Sequence, residues 1–210
     1  TCSSAVARPG SDDYSRSMKS LSLGGRAACV LAMTLVWTCA RAGDATAFDL
    51  IKEGNRYVGE DSKDKVVQLR SEKSIATLTP SIWFVVYYDP DATFKATEVK
   101  FGAGKKLKVS RPLRVLEMGT GDHKTLDRAK LKIDSDQAIK IASAKPLLKP
   151  LTLKATKLTL QHGDEGPVWK VTLWAAKLKN PAANTDVGTV YIAADTGKVI
   201  RSDLHINRVD

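Results

Sequence analysis

The sequence predicts an α+β fold made of two tandem units, each a helix packed on a ~4-stranded antiparallel sheet. Three observations indicate this fold. Apolar and polar residues alternate in short Thr-rich or aromatic segments, which is typical of strands. A helical segment followed by such strands can be read twice along residues 43–210. Finally, 43% apolar and 27% charged residues in a chain of 210 are typical of a folded globular protein.

The second unit has the clearer pattern. Asp134, with Gln137 three residues later, is predicted to cap a helix whose apolar residues recur at helical spacing, and Pro146 ends it. Strands are predicted to follow at 151–161, 168–177, 188–194 and 198–202. A tight turn at 195–197 joins the last two strands, and Gly197 can adopt the positive φ that such a turn requires.

The first unit is interpreted by analogy with the second. Thr46 and Asp49 are predicted to begin a helix, which Gly54 weakens by about 1 kcal/mol relative to alanine. One or two strands are predicted within 66–78, and further strands at 82–88, 96–101 and 106–110. In this alignment Trp83 takes the place of Trp169. One sheet wrapping one helix gives each unit a cystatin-like layout.

Residues 18–42 have the pattern of a secretory signal peptide. A basic start leads into the apolar run 27–37, and Ala40 and Ala42 supply small residues for cleavage after Ala42. The run is shorter than the ~20 residues that a membrane-spanning helix requires. We therefore expect an exported protein, periplasmic or extracellular, without a stable membrane span. Residues 1–17 are expected to come from a start site assigned too early.

The cysteines all precede this cleavage site, at Cys2, Cys29 and Cys39. The exported part would therefore contain neither a disulfide nor a thiolate ligand, and its stability would depend on its core. A lipid anchor at Cys39 is disfavoured, because the bulky Trp37 lies in the segment before it. Within the exported part, 43–118 is predicted to be the first unit, and 119–210 a glycine-containing linker with the second unit.

Alternation also divides each predicted strand into two faces. The residues predicted to face the helices are Trp169, Val171 and Leu173, with Trp83, Val85 and Tyr87 in the first unit. The candidate partner contacts on the opposite faces are Trp174, Lys170, Thr172, Phe84, Val86 and Tyr88. Two interpretations remain open: the two sheets pack against each other or against the linker, or the apolar face binds a partner or a second copy. Trp174 is the best single candidate, because tryptophan is enriched at binding hot spots.

Sequence patterns for catalysis are weak. His123, His162 and His205 lie far apart, without the spacing of a metal site, and no serine lies in a G-x-S-x-G turn. We therefore expect no catalytic residue, no metal and no cofactor. An enzyme with a pocket in a cystatin-like unit is kept as the least favoured alternative.

Three segments of the second unit, at 135–146, 168–175 and 188–203, resemble a PepSY domain. The matching residues are Ala138, Ala142, Trp169, Asp195, Gly197 and Val199. The resemblance extends over about 135–203, and the first unit is interpreted as a degenerate copy. It implies a protein that binds or restrains other proteins rather than catalyses a reaction.

The expected function is therefore that of a non-enzymatic envelope protein, PepSY-like, which inhibits or chaperones a peptidase or another envelope protein. The alternative is a binder of anionic envelope polymers, since residues 43–210 contain 28 Lys and Arg against 21 Asp and Glu, a net charge of +7. Its candidate contacts are Lys100, Lys105, Lys106, Lys108 and Arg111. Export disfavours nucleic acid as the partner, and the charge is also typical of a merely well-solvated surface.

Overall fold

A computed structural model describes residues 45–111, 125–177, 182 and 184–209 of the chain. The predicted upstream segment 1–17, the predicted signal peptide 18–42 and the predicted start of the linker at 119–122 lie outside the described residues. Among the described residues, no helix is both long enough and apolar enough to span a bilayer.

The described part contains two α-helices and eight β-strands. The helices are α1 (Ala47–Gly54) and α2 (Ser135–Ser143). The strands after α1 are β1 (Val66–Ser71), β2 (Ile82–Tyr88), β3 (Ala96–Gly102) and β4 (Lys105–Ser110). Those after α2 are β5 (Leu151–His162), β6 (Pro167–Lys177), β7 (Thr185–Ala193) and β8 (Val199–Leu204).

All eight strands form one antiparallel sheet in the order β4-β3-β2-β1-β5-β6-β7-β8. The predicted pair of tandem cystatin-like units, each with its own sheet, is therefore wrong. The two halves join because β1 and β5 pair, with Gln68 opposite Gln161 and Arg70 opposite Thr159. Each of these strands would otherwise be a sheet edge with unpaired amides and carbonyls, and pairing removes both edges.

Two serine side chains extend this junction beyond the paired residues. The Ser71 hydroxyl accepts a hydrogen bond from the Leu158 amide at 2.9 Å, and the Ser74 hydroxyl accepts one from the Thr156 amide at 2.8 Å. The Ser74 amide in turn donates to the Thr156 carbonyl at 2.8 Å. Buried amides of β5 thus keep hydrogen-bond partners where β1 has ended.

The N-termini of the two helices meet at Asp134. Its carboxylate accepts hydrogen bonds from the Ser135 amide in α2 at 2.6 Å and from the Phe48 amide in α1 at 3.2 Å. The Ser135 hydroxyl accepts from the Ala47 amide at 3.1 Å. The predicted cap at Asp134 is confirmed, and it serves both helices. Thr46 also caps α1 as predicted, since its hydroxyl accepts from the Asp49 amide.

One core lies between the helices and the sheet. The inward residues predicted on β2 and β6 are all buried in it: Trp83, Val85, Tyr87, Trp169, Val171 and Leu173. Both indoles are hydrogen-bonded, Trp83 to the Pro80 carbonyl at 2.9 Å and Trp169 to the Ile133 carbonyl at 2.7 Å. The prediction of which residues face the helices is confirmed.

Candidate binding face

α1 and α2 pack on the same face of the sheet, because residues of both helices share one core with β2 and β6. The opposite face is termed the open face. All the predicted contact residues lie on it: Phe84, Val86 and Tyr88 on β2, and Lys170, Thr172 and Trp174 on β6. β1 and β5 lie between these strands in the same sheet. The alternative in which the two sheets pack face to face is therefore wrong.

Aromatic rings on the open face are accompanied by cationic side chains. Lys73 lies over the ring of Trp174, with its ammonium 4.4 Å from the ring centroid. Phe84 has two such neighbours, since Arg70 and Lys100 each place their charge 4.9 Å from its centroid. These are cation–π contacts, in which the negative face of the ring attracts the cation. Both rings are partly exposed on this face.

Trp174 and Phe84 line one groove in the middle of the open face. The central groove has a volume of about 400 Å³ and is lined by Arg70, Ser71, Glu72, Lys73, Phe84, Lys157 and Trp174. It lies above the junction of β1 and β5, so residues from both halves of the chain form it. The sequence predicts the two rings as contacts, but not that Arg70 and Lys73 of the first half share a groove with Lys157 and Trp174 of the second, because nothing local in the sequence shows that β1 adjoins β5.

The remaining predicted contact residues differ in how accessible they are to a partner. Val86 is fully buried in a small cluster with Val67 and Ala96. It therefore packs beneath the surface of the open face and is not accessible to a partner. The Thr172 hydroxyl lies 3.1 Å from that of Thr189 on β7, which ties two strands together. Tyr88 is partly exposed, with the ammonium of Lys65 5.8 Å from its ring centroid.

The basic residues predicted to bind a polymer do not form one cluster. Lys100 and Lys108 are cross-strand partners on the open face. Lys106 pairs with the inward-facing Phe101, and its ammonium lies 5.0 Å from the ring centroid of Tyr57 on the helix side. Arg111 lies 3.4 Å from the buried carboxylate of Asp89. The pairing of β3 and β4 contains a bulge at Leu107, so Lys106 and Lys108 point to opposite faces although they are only two residues apart.

Hydrogen bonds and burial set the ionisation of Asp89. Burial opposes its negative charge, but hydrogen bonds from the Thr97 hydroxyl, at 2.6 Å, and the Asp91 amide, at 3.0 Å, stabilise it, and the Arg111 guanidinium adds attraction. The net effect lowers the pKa of Asp89. These contacts close the turn after β2, so Asp89 has a structural explanation.

A second depression lies at the β8 end of the open face. It has a volume of about 320 Å³, with an apolar lining from Val168, Ile200 and Tyr191. Lys170 and Arg201 also line it, and their charged groups lie 5.8 and 4.8 Å from the ring centroid of Tyr191. Its combination of rings and cations therefore repeats that of the central groove. Among the described residues, His, Cys, Asp and Glu form no group of three or more that could hold a metal ion.

Comparisons of the chain with protein-family models, with curated proteins and with solved structures find no match. The resemblance to PepSY domains therefore stays a prediction from the residues. Function has to be inferred from the open face itself, which offers apolar rings and cations to a partner and can hold anionic groups by charge-assisted hydrogen bonds.

Proposed function

We propose that this protein is a non-enzymatic binding protein that holds its partner on the open face of the sheet. The observation that supports it is the central groove, whose lining includes both Trp174 and Phe84 together with Arg70, Lys73 and Lys157. Tryptophan and arginine, which both line this groove, are among the residue types enriched at binding hot spots. Export, and the restraint of an envelope protein such as a peptidase, belong to the same proposal and are supported by the sequence patterns of 18–42 and 135–203.

Site-specific photo-crosslinking tests where the partner binds. The photoreactive amino acid p-benzoylphenylalanine is placed at position 174 of the full chain, which is then irradiated in cells of its source. The matched control carries it at position 140, since Lys140 is exposed on α2 on the helix side of the sheet. We expect a discrete crosslinked product from position 174 and none from position 140. Equal products from both positions, or a product from 140 alone, would contradict binding on the open face.

A second candidate function is the binding of an anionic polymer, and the cations beside the rings of the open face favour it. The two candidates differ in their response to salt, because the Debye length falls from about 10 Å at 0.1 M to about 3 Å at 1 M. A complex held by apolar contacts at Trp174 should survive high salt and be lost in Trp174→Ala. A polymer complex should be lost on adding salt, with little effect of Trp174→Ala.

A further inference from the structure

One row of side chains crosses the whole open face from edge to edge. Its members are cross-strand partners at each step: Lys108, Lys100, Phe84, Arg70, Thr159, Lys170, Tyr191 and Arg201, from β4 to β8. Partners directly opposite each other in an antiparallel sheet point to the same face. This set is termed the basic row, because five of its eight members are cationic.

Cations recur on alternate strands along most of the basic row. From β3 to β8 they are Lys100, Arg70, Lys170 and Arg201, and the residues between them are Phe84, Thr159 and Tyr191. Adjacent strands lie about 4.8 Å apart, so successive cations are spaced by roughly 9.5 Å. A regular spacing of this kind suits a linear ligand whose anionic groups recur at a similar distance.

Acidic neighbours lower the charge of the row without cancelling it. Glu72 pairs with Lys100 at 3.0 Å, Glu98 with Arg70 at 2.7 Å, and Asp203 with Arg201 at 2.7 Å. Three acidic partners against five cations leave the row with a net charge of +2, and Lys73 and Lys157 border it in the central groove. The row is therefore a weakly cationic track, and it matches a ligand of low charge density.

We propose that the basic row binds a linear acidic polysaccharide that carries one carboxylate for every two sugar rings, laid across the strands. Two linked sugar rings extend over about the distance between alternate strands, so each carboxylate can approach a cation, which at Lys100, Arg70 and Arg201 it would share with the acidic neighbour. The twist of a sheet rotates the row by roughly 20° per strand, which a flexible chain can follow. This inference rests on the second candidate function, the binding of an anionic polymer, and it names the class of that polymer.

The spacing of the row disfavours nucleic acid. Along the axis of duplex DNA each strand presents a phosphate about every 3.4 Å, a higher charge density than that of the row. Proteins that bind single strands offer open aromatic faces on which bases stack. Here Phe84 and Tyr191 each have two cationic groups within 6 Å of the ring centroid, which leaves less ring surface for a base.

Titration with hyaluronan oligosaccharides tests the inference, because hyaluronan carries one carboxylate per disaccharide. The full chain is titrated by isothermal calorimetry at low salt, and the titration is repeated at 1 M NaCl and with poly(dT). We expect saturable binding of hyaluronan that is lost at 1 M NaCl, and weaker binding of poly(dT). Lys170→Gln should weaken binding by about two- to fivefold, and Lys100→Gln by a similar factor. The control Lys140→Gln removes the same charge on the helix side and should change the affinity less than twofold.

Absence of hyaluronan binding at low salt by the folded wild-type chain would overturn the inference. Equal loss in Lys140→Gln and Lys170→Gln, or tighter binding of poly(dT), would also overturn it. None of these results would contradict the proposed function as long as the crosslink from position 174 is still observed. Loss of that crosslink with hyaluronan binding retained on the row would instead contradict only the assignment of a protein partner to the central groove.

Discussion

At the scale of single residues, Tyr87 shows how closely α1 packs against the sheet. Its hydroxyl is buried and donates a hydrogen bond to the Ile51 carbonyl of α1 at 2.9 Å. Burial, with the charge of Asp64 as a smaller contribution, raises the pKa of the phenol. The hydroxyl occupies the space beside Gly54, where an added Cβ would lie 2.2 Å from it. Gly54 is therefore required for the close approach of helix and sheet.

Gly54→Ala is expected to destabilise the protein by about 1–3 kcal/mol, because the new methyl group must displace Tyr87 from its hydrogen bond. Helix propensity alone would predict that Gly54→Ala stabilises the protein, since alanine is favoured over glycine in a helix by about 1 kcal/mol. The control is Gly59→Ala, where an added Cβ meets nothing within 4 Å. Urea denaturation of the three proteins measures the difference. A Gly54→Ala variant as stable as the wild type would show that the helix does not lie this close to β2.

At the scale of elements, the sequence predicts well where the strands lie and which side chains face the core. It predicts poorly which strands pair with each other. Alternation places Trp83, Val85 and Tyr87 inward because period two is a local property of the chain. The junction of β1 and β5 joins residues about 90 positions apart, such as Gln68 and Gln161, and no local pattern signals it. The contact of Lys73 with Trp174 was missed for the same reason, because it crosses this junction. The Gly197 turn was predictable, and its φ of 73° confirms the expected conformation.

Asp134→Ala is expected to cost about 1–2 kcal/mol or more, because one carboxylate caps the N-termini of both helices and single caps are worth about 1 kcal/mol. Asp134→Asn keeps an acceptor oxygen and should recover most of the loss. Asp136→Ala serves as the control, since it removes an exposed carboxylate from the first turn of α2 alone. Thermal unfolding of the four proteins provides the comparison. Equal effects of Asp134→Ala and Asp136→Ala would rule out the shared cap.

At the scale of the whole molecule, the described part has one core and one sheet, and neither half can keep its packing alone. Phe48 of α1 lies over Trp169 of β6, with ring centroids 6.4 Å apart, so the first helix covers part of the second half. β5 would become an exposed edge if β1 were removed. Independent tandem units would unfold separately, whereas a shared core should unfold as one. Whether the two halves unfold separately or together matters for binding on the open face, because the central groove exists only while both halves are folded.

We therefore expect native-state hydrogen exchange to give the slowest amides of β2 and β6 the same opening free energy. Ser74→Ala leaves the buried Thr156 amide without its hydroxyl acceptor and should lower that free energy by about 1–3 kcal/mol in both strands. Ser81→Ala makes the same chemical change at an exposed position of the same loop and should leave both values nearly unchanged. A decrease confined to β6, or two separate free energies in the wild type, would mean that the halves open independently. If the halves opened independently, opening of either half would be enough to remove the central groove. A partner bound in the groove would then stabilise the junction of β1 and β5 before any other part of the sheet.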